Sequence, residues 1–251
     1  MRGHLFEPEV KPDGAVVILH ERYGLVQHTL DLAQKLADDG YLALAPDLFS
    51  RWQGDHEALR RGDIRVTLPD DEVRAIVEAG LDFLKQRTAK VALMGVCQSG
   101  RYPIVVGSRR PDVNALVVFY GAAQASDWRL TPDQPRPMAD MIAATSAPGL
   151  YVFGEADHVI SLDDVLRLKG TLEVQRKSYL MHIFPHMPHG WLNDTMPGRY
   201  RPHEADVAWL LLQGFLDDVF AGRWPQPGRV MWHFHSDVGQ DYDFSKNVRL
   251  E

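Results

Sequence analysis

Short apolar runs alternating with amphipathic stretches constrain this chain more than any other feature. Ala15-Val16-Val17-Ile18-Leu19, Tyr41 to Ala45, Val91-Ala92-Leu93-Met94, Ala115 to Phe119, Gly149 to Phe153 and Tyr179 to Phe184 read as strands. Most lack polar alternation, as strands buried on both faces do. Between them, apolar residues recur at helical spacing: Leu30, Ala33, Leu36 and Ala37 ahead of Gly40, and Val73, Ile76, Val77, Leu81 and Leu84 within Asp70 to Gln86. Further helices are expected over Arg101 to Arg109, after Ser161 (with Asp164 three residues on, a capping-box pattern), and through Ala208, Leu211, Leu212, Phe215 and Val219. Repeated βα units predict an α/β fold, a mostly parallel central sheet with helices on both faces.

The 251 residues are read as one domain over 1–221, with an extension over 222–251 carrying Trp224, Trp232, Phe234, Tyr242 and Phe244. That extension is expected to pack on the domain or to mediate a homodimer. Residues 123–147, rich in proline and polar side chains, read either as a lid-like insertion or as a plain surface one. A formal net charge of -7 with scattered basic residues argues against a nucleic-acid partner and leaves a small molecule as the expected one. No stretch approaches ~18 uncharged apolar residues, so no membrane span is expected. The single cysteine excludes an internal disulfide and suits a reducing compartment, the cytoplasm.

That cysteine, Cys97, sits in Gly95-Val96-Cys97-Gln98-Ser99-Gly100, directly after an apolar run. A strand running into a sharp turn with small residues on both sides is the pattern of a nucleophile elbow. A lone cysteine is otherwise an inert small hydrophobe, so its partners decide the matter. Asp157 follows the strand ending at Phe153, and His189 follows the strand ending at Phe184. Both fall in loops beyond strand carboxyl ends, where catalytic groups of open α/β sheets project. The order nucleophile, acid, histidine resembles that of α/β-hydrolases. His182 lies within a strand, and His158 and His186 are further rivals; His189 is preferred to His186. In this arrangement His189 would activate Cys97 and protonate the leaving group, while Asp157 would hold the imidazole tautomer. A thiol at a helix start beside a histidine should have a depressed pKa. An oxyanion would sit between the backbone N–H groups of Gln98 and Arg22. No metal or cofactor is expected: His182, His186 and His189 lack the helical spacing of zinc-protease motifs.

Several separated motifs make residues 14 to 220 resemble the dienelactone hydrolases, or carboxymethylenebutenolidases. They are Leu19-His20-Glu21-Arg22-Tyr23-Gly24, Ala45-Pro46-Asp47-Leu48-Phe49-Ser50-Arg51, the cysteine elbow, Tyr120-Gly121, Asp157-His158 and His189-Gly190-Trp191. The resemblance implies a hydrolase that opens a lactone or ester through a Cys-His-Asp triad and an acyl-thioester, in the breakdown of catechol-type aromatics. It implies that Glu21 contacts the resting thiol, that Arg51 binds the substrate carboxylate, and that Tyr120, Trp191 and position 193 approach the substrate. The chain departs from the family at Asn193, where a second carboxylate-binding arginine is usual; Arg199 or Arg201 is the available substitute. Ser99 replaces the usual elbow glycine. The alternatives are a cysteine esterase or lactonase for another substrate and, in a different class, a non-catalytic thiol sensor or ligand-binding module.

Overall fold

The computed structural model describes residues 2–224 and 230–234. One sheet contains β1 (Gly3–Phe6), β2 (Gly14–Leu19), β3 (Tyr41–Pro46), β4 (Val91–Val96), β5 (Ala115–Phe119), β6 (Gly149–Gly154), β7 (Tyr179–Phe184) and β8 (Val230–Phe234). Their order is β1-β3-β2-β4-β5-β6-β7-β8. β1 runs antiparallel to β3, and the other neighbouring pairs are parallel. The helices are α1 (Gln27–Asp38), α2 (His56–Arg61), α3 (Asp70–Lys85), α4 (Tyr102–Gly107), α5 (Met138–Ala144), α6 (Leu162–Val174) and α7 (Pro202–Phe220). All six strands read from the sequence are present, and the α/β architecture is as expected.

Alternate strand residues feed two cores. Val17, Leu19, Leu93, Val118 and Phe153 meet Val73, Val77 and Leu81 of α3 and the apolar faces of α4, α5 and α6. Val16, Ile18, Met94, Val117 and Val152 meet Ala33 and Leu36 of α1 and Ala208, Leu212 and Phe215 of α7. Every residue of β2, β3 and β4 is buried, which explains runs without polar alternation. The capping box that opens α6 forms as expected: Asp164 N–H donates to Ser161 Oγ, and Ser161 N–H to the Asp164 carboxylate.

β1, α2 and β8 are elements that no expectation covered, and two further stretches take a form other than the expected one. The helix expected from Arg101 begins as a 3-10 turn over Cys97–Arg101, and the α-helix starts only at Tyr102, with Pro103 in its first turn where no N–H is needed. The 123–147 segment is not loop throughout. It holds a 3-10 turn (Ala125–Trp128) and then α5, whose Met138, Met141 and Ile142 are buried at i, i+3, i+4 spacing. That stripe is too short to stand out between Pro137 and Pro148. Most of the aromatic extension lies outside the described residues; within them, β8 extends the sheet beside β7, and buried Trp224 donates from Nε1 to Ser178 Oγ.

The strand order positions the site. From β2 the chain steps to β3 on one side, then crosses back over β2 to β4 on the other. The connections leaving β2 and β4 therefore diverge and open a crevice at their carboxyl ends, the topological switch point.

A buried ion pair braces that region. Arg101 grips the Asp70 carboxylate through Nε (3.0 Å) and Nη2, and donates from Nη1 to the Asp127 carbonyl at 2.9 Å. The Asp127 carboxyl is itself buried with an unpartnered oxygen, and burial pushes it up to about 7 against the pull of Arg101. A raised carboxyl pKa favours the protonated folded state, so its contribution to stability is full below about pH 4 and is lost as pH rises towards 7. A shift of about three units corresponds to roughly 4 kcal/mol at most. Urea unfolding of Asp127→Asn and wild type should show a stability advantage for the variant that grows between pH 4 and 7 and is flat above.

Candidate active site

Cys97 leaves β4 with φ 57°, in the left-handed region where a side chain is strained. The strain persists because neighbours crowd the turn. A Cβ on Gly95 would overlap the Ser99 carbonyl and lie 2.8 Å from Gly100 Cα. One on Gly121 would lie 2.5 Å from the Cys97 carbonyl and 2.6 Å from Gly100 Cα. The loop after β5 thus backs directly onto the elbow. Ser99 is buried and adds a function a glycine lacks: its Oγ accepts the Val96 N–H (2.9 Å) and lies 2.8 Å from the Leu19 carbonyl, tying the ends of β4 and β2 together.

Cys97 Sγ lies 3.1 Å from His189 Nε2, and His189 Nδ1 lies 2.8 Å from Asp157 Oδ2. The other Asp157 oxygen accepts the N–H groups of Val159 (2.7 Å) and Ile160 (2.9 Å). A carboxylate so held accepts from Nδ1–H and turns Nε2 to the thiol. Burial opposes charge on His189, but Asp157 and Cys97 together outweigh it and hold the imidazole well above its ordinary pKa. Gly190 follows with φ 78°, letting the loop turn away immediately after the histidine. The rival His186 is exposed in a left-handed turn, its N–H on Glu155, and His182 stacks 5.7 Å from His233 between β7 and β8.

A cavity of about 120 Å³ opens over Cys97. Glu21, Arg22, Gln98, His158 and His189 line it, as do Arg65, Gln124, Met196 and Arg199. The other residues implied by resemblance lie elsewhere. Arg51 is exposed and outside the lining. Tyr120 and Trp191 are fully buried: the Tyr120 ring lies 5.2 Å from that of His189, and Trp191 packs behind it, 6.2 Å from the Tyr120 ring. Asn193 is buried too: its Nδ2 donates to Glu21 Oε2 at 2.7 Å while its Oδ1 accepts from Thr195. Glu21 therefore has an amide partner where the family pattern has an arginine nearby. Arg201 turns to the Gly198 and Tyr200 carbonyls, whereas Arg199 reaches the cavity. Arg65 escaped sequence reading because no motif marks the connection between α2 and α3; only the fold brings it to Gln98, to whose Oε1 it donates at 3.2 Å. Among the described residues, no group of three or more His, Cys, Asp or Glu side chains is arranged to hold a metal, and no helix is long and apolar enough to cross a membrane.

Comparison with known proteins places the chain in a family. The model of the dienelactone hydrolase family matches residues 1–220. A relative from Methylorubrum extorquens, named as a candidate carboxymethylenebutenolidase, is 29% identical over 211 residues, 80% of this chain and 71% of its own. A similarly named relative from Aquifex aeolicus is 26% identical over 226 residues, 86% of this chain and 92% of its own. Among solved structures, a candidate dienelactone hydrolase from Klebsiella pneumoniae superposes with a TM-score of 0.72 at 23% identity, covering 86% of this chain and 89% of that one. At that identity the structural likeness speaks for the fold.

With one thiol in the chain, alkylation reads Cys97 alone. An imidazolium within hydrogen-bond reach stabilises thiolate. His189→Ala should therefore slow iodoacetamide labelling near pH 6.5 by about tenfold or more, followed by intact mass, while His186→Ala labels like wild type.

Proposed function

The chain belongs to the dienelactone hydrolase family and is a hydrolase of esters or lactones, and from that premise we propose that it works through Cys97, His189 and Asp157 by way of an acyl-thioester. The observation that carries this reading is the continuous contact from Asp157 through His189 to Cys97, facing a cavity. The Cys97 thiolate attacks the acyl carbon, and the carbonyl π pair moves onto oxygen. The backbone N–H groups of Gln98 and Arg22 are the proposed donors to that oxyanion. As the tetrahedral centre collapses, His189 Nε2–H gives its proton to the departing alkoxide, which in a lactone stays tethered to the acyl group. Water then attacks the thioester, His189 takes its proton, and Cys97 leaves as thiolate with a carboxylic acid as product. Asp157 keeps the imidazole oriented and balances its charge throughout.

The lining supports a small, anionic acyl group. Arg22, Arg65 and Arg199 reach the cavity, and none forms an ion pair with a carboxylate among the described residues. Arg22 donates to the Gly62 carbonyl and Arg65 to Gln98 Oε1, but in a chain of net charge -7 three guanidinium groups without a carboxylate partner at one small cavity form a local trap for an anion. Arg65 and Arg199 take the role that resemblance alone gave to Arg51. An unsaturated lactone carrying a carboxylate, of the kind that ring cleavage of aromatics yields, meets these demands. A lone catalytic thiol is best preserved in a reducing compartment, which supports the cytoplasm.

Cys97→Ala should abolish turnover of p-nitrophenyl acetate and of cis- and trans-dienelactone, and intact mass should reveal an acyl adduct on wild type that the variant lacks. Undiminished turnover by Cys97→Ala would sink the covalent mechanism. Asp157→Asn should lower kcat by roughly 10³–10⁴ through the wrong tautomer. For the substrate, Arg65→Ala and Arg199→Ala should each raise KM for a carboxylate-bearing lactone about tenfold, the worth of a charge-assisted hydrogen bond, with far less effect on a neutral ester. Arg51→Ala should match wild type on both.

A further inference from the structure

The loop that follows β2 is held from behind by a buried imidazole. His20 is 2% exposed, and its Nε2 lies 3.0 Å from the backbone N–H of Leu48, in the turn after β3. A backbone amide can only donate, so Nε2 is the acceptor and carries no proton. Burial pulls the ring below its ordinary pKa, against the opposing influence of the Glu21 carbonyl and Asp47, and keeps it neutral. Its single N–H is then on Nδ1, 2.7 Å from the Glu21 carbonyl oxygen. A weaker donor to the same oxygen is Gly24 N–H at 3.4 Å.

The Glu21 carbonyl and the Arg22 N–H are the two ends of one planar peptide, and in a trans peptide they point in opposite directions. Fixing the oxygen fixes the direction of the N–H. The other end of the stretch is fixed independently, by Ser99 Oγ at the Leu19 carbonyl. We propose that His20 is a positioning residue for hydrolysis: by holding the Glu21 carbonyl through Nδ1–H, it aims the Arg22 N–H at the place above Cys97 where the oxyanion develops. The proposal rests on the cysteine-hydrolase reading given above. His20 itself touches no substrate. Its effect falls on charge that exists only in the transition state, so it bears on kcat and not on ground-state binding.

Two near-isosteres separate the two hydrogen bonds. Asparagine carries its amide close to the place of Nδ1, so His20→Asn retains a donor for the Glu21 carbonyl and loses the acceptor for Leu48. Glutamine reaches the place of Nε2, so His20→Gln retains the acceptor for Leu48 and loses the donor. With p-nitrophenyl acetate, His20→Gln should lose roughly 10–100-fold in kcat, somewhat less than deletion of an oxyanion donor, with KM nearly unchanged. His20→Asn should stay within about threefold of wild-type kcat, whatever its melting temperature. Equal losses in the two variants, or losses that follow melting temperature, would overturn the proposal alone. In wild type, ¹⁵N spectra of histidine-labelled protein should show His20 as the Nδ1–H tautomer; an Nε2–H tautomer would overturn it even if neither variant folds. A wild type without Cys97-dependent turnover would overturn the hydrolase reading and this proposal together, and the tautomer result would still report on the contact itself.

Discussion

The left-handed backbone at Cys97 is the constraint on which the rest of the site depends. A non-glycine residue in that conformation costs about 1–2 kcal/mol, and it persists only where surrounding contacts over-determine it. Here the contacts are steric. Gly95, Gly100 and Gly121 bring three stretches of backbone into mutual contact, and no side chain fits between them. The elbow cannot relax without separating β4 from the loop after β5. In exchange for that strain, Sγ stands clear of the sheet at the switch point, within reach of loops from β2, β6 and β7.

Electrostatics then propagate outward from a buried carboxylate. Asp157 accepts two backbone N–H groups and one imidazole N–H, so it stays an acceptor and assigns His189 its tautomer. The imidazole, in turn, meets the thiol. Each partner is mostly buried, and interactions between charges strengthen where water is excluded. The same logic separates the buried polar residues by role. Asn193 and Glu21 satisfy one another, and Arg101 satisfies Asp70; the arginines at the cavity mouth have no such carboxylate partner. A guanidinium left without one is suited to a ligand.

Much of the fold was legible in the chain because fully buried strands leave a continuous apolar signature. Val91-Ala92-Leu93-Met94 and its counterparts announce themselves, and the following loops place Cys97, Asp157 and His189 at strand carboxyl ends. β1 was not legible, since a four-residue edge strand with two exposed positions has little pattern. Nor was α5, whose short apolar stripe is flanked by prolines. Resemblance also misled where roles depend on side-chain reach. Arg51 sits in a matching motif yet is exposed and outside the cavity lining, while Asn193 donates to Glu21.

Local sequence determined the order of strands and helices, the tight glycine-flanked turn and the sequence order of thiol, carboxylate and imidazole, because these follow from periodicity and residue size alone. The tertiary structure decided which histidine meets the thiol, which arginines line the cavity and what holds the Glu21 carbonyl. The contacts behind those choices join residues 28 to 92 positions apart in the chain: His20 to Leu48, Asp157 to His189 and Cys97 to His189. They depend on the crossover at the switch point and on the direction each side chain takes from its loop, neither of which a linear pattern encodes.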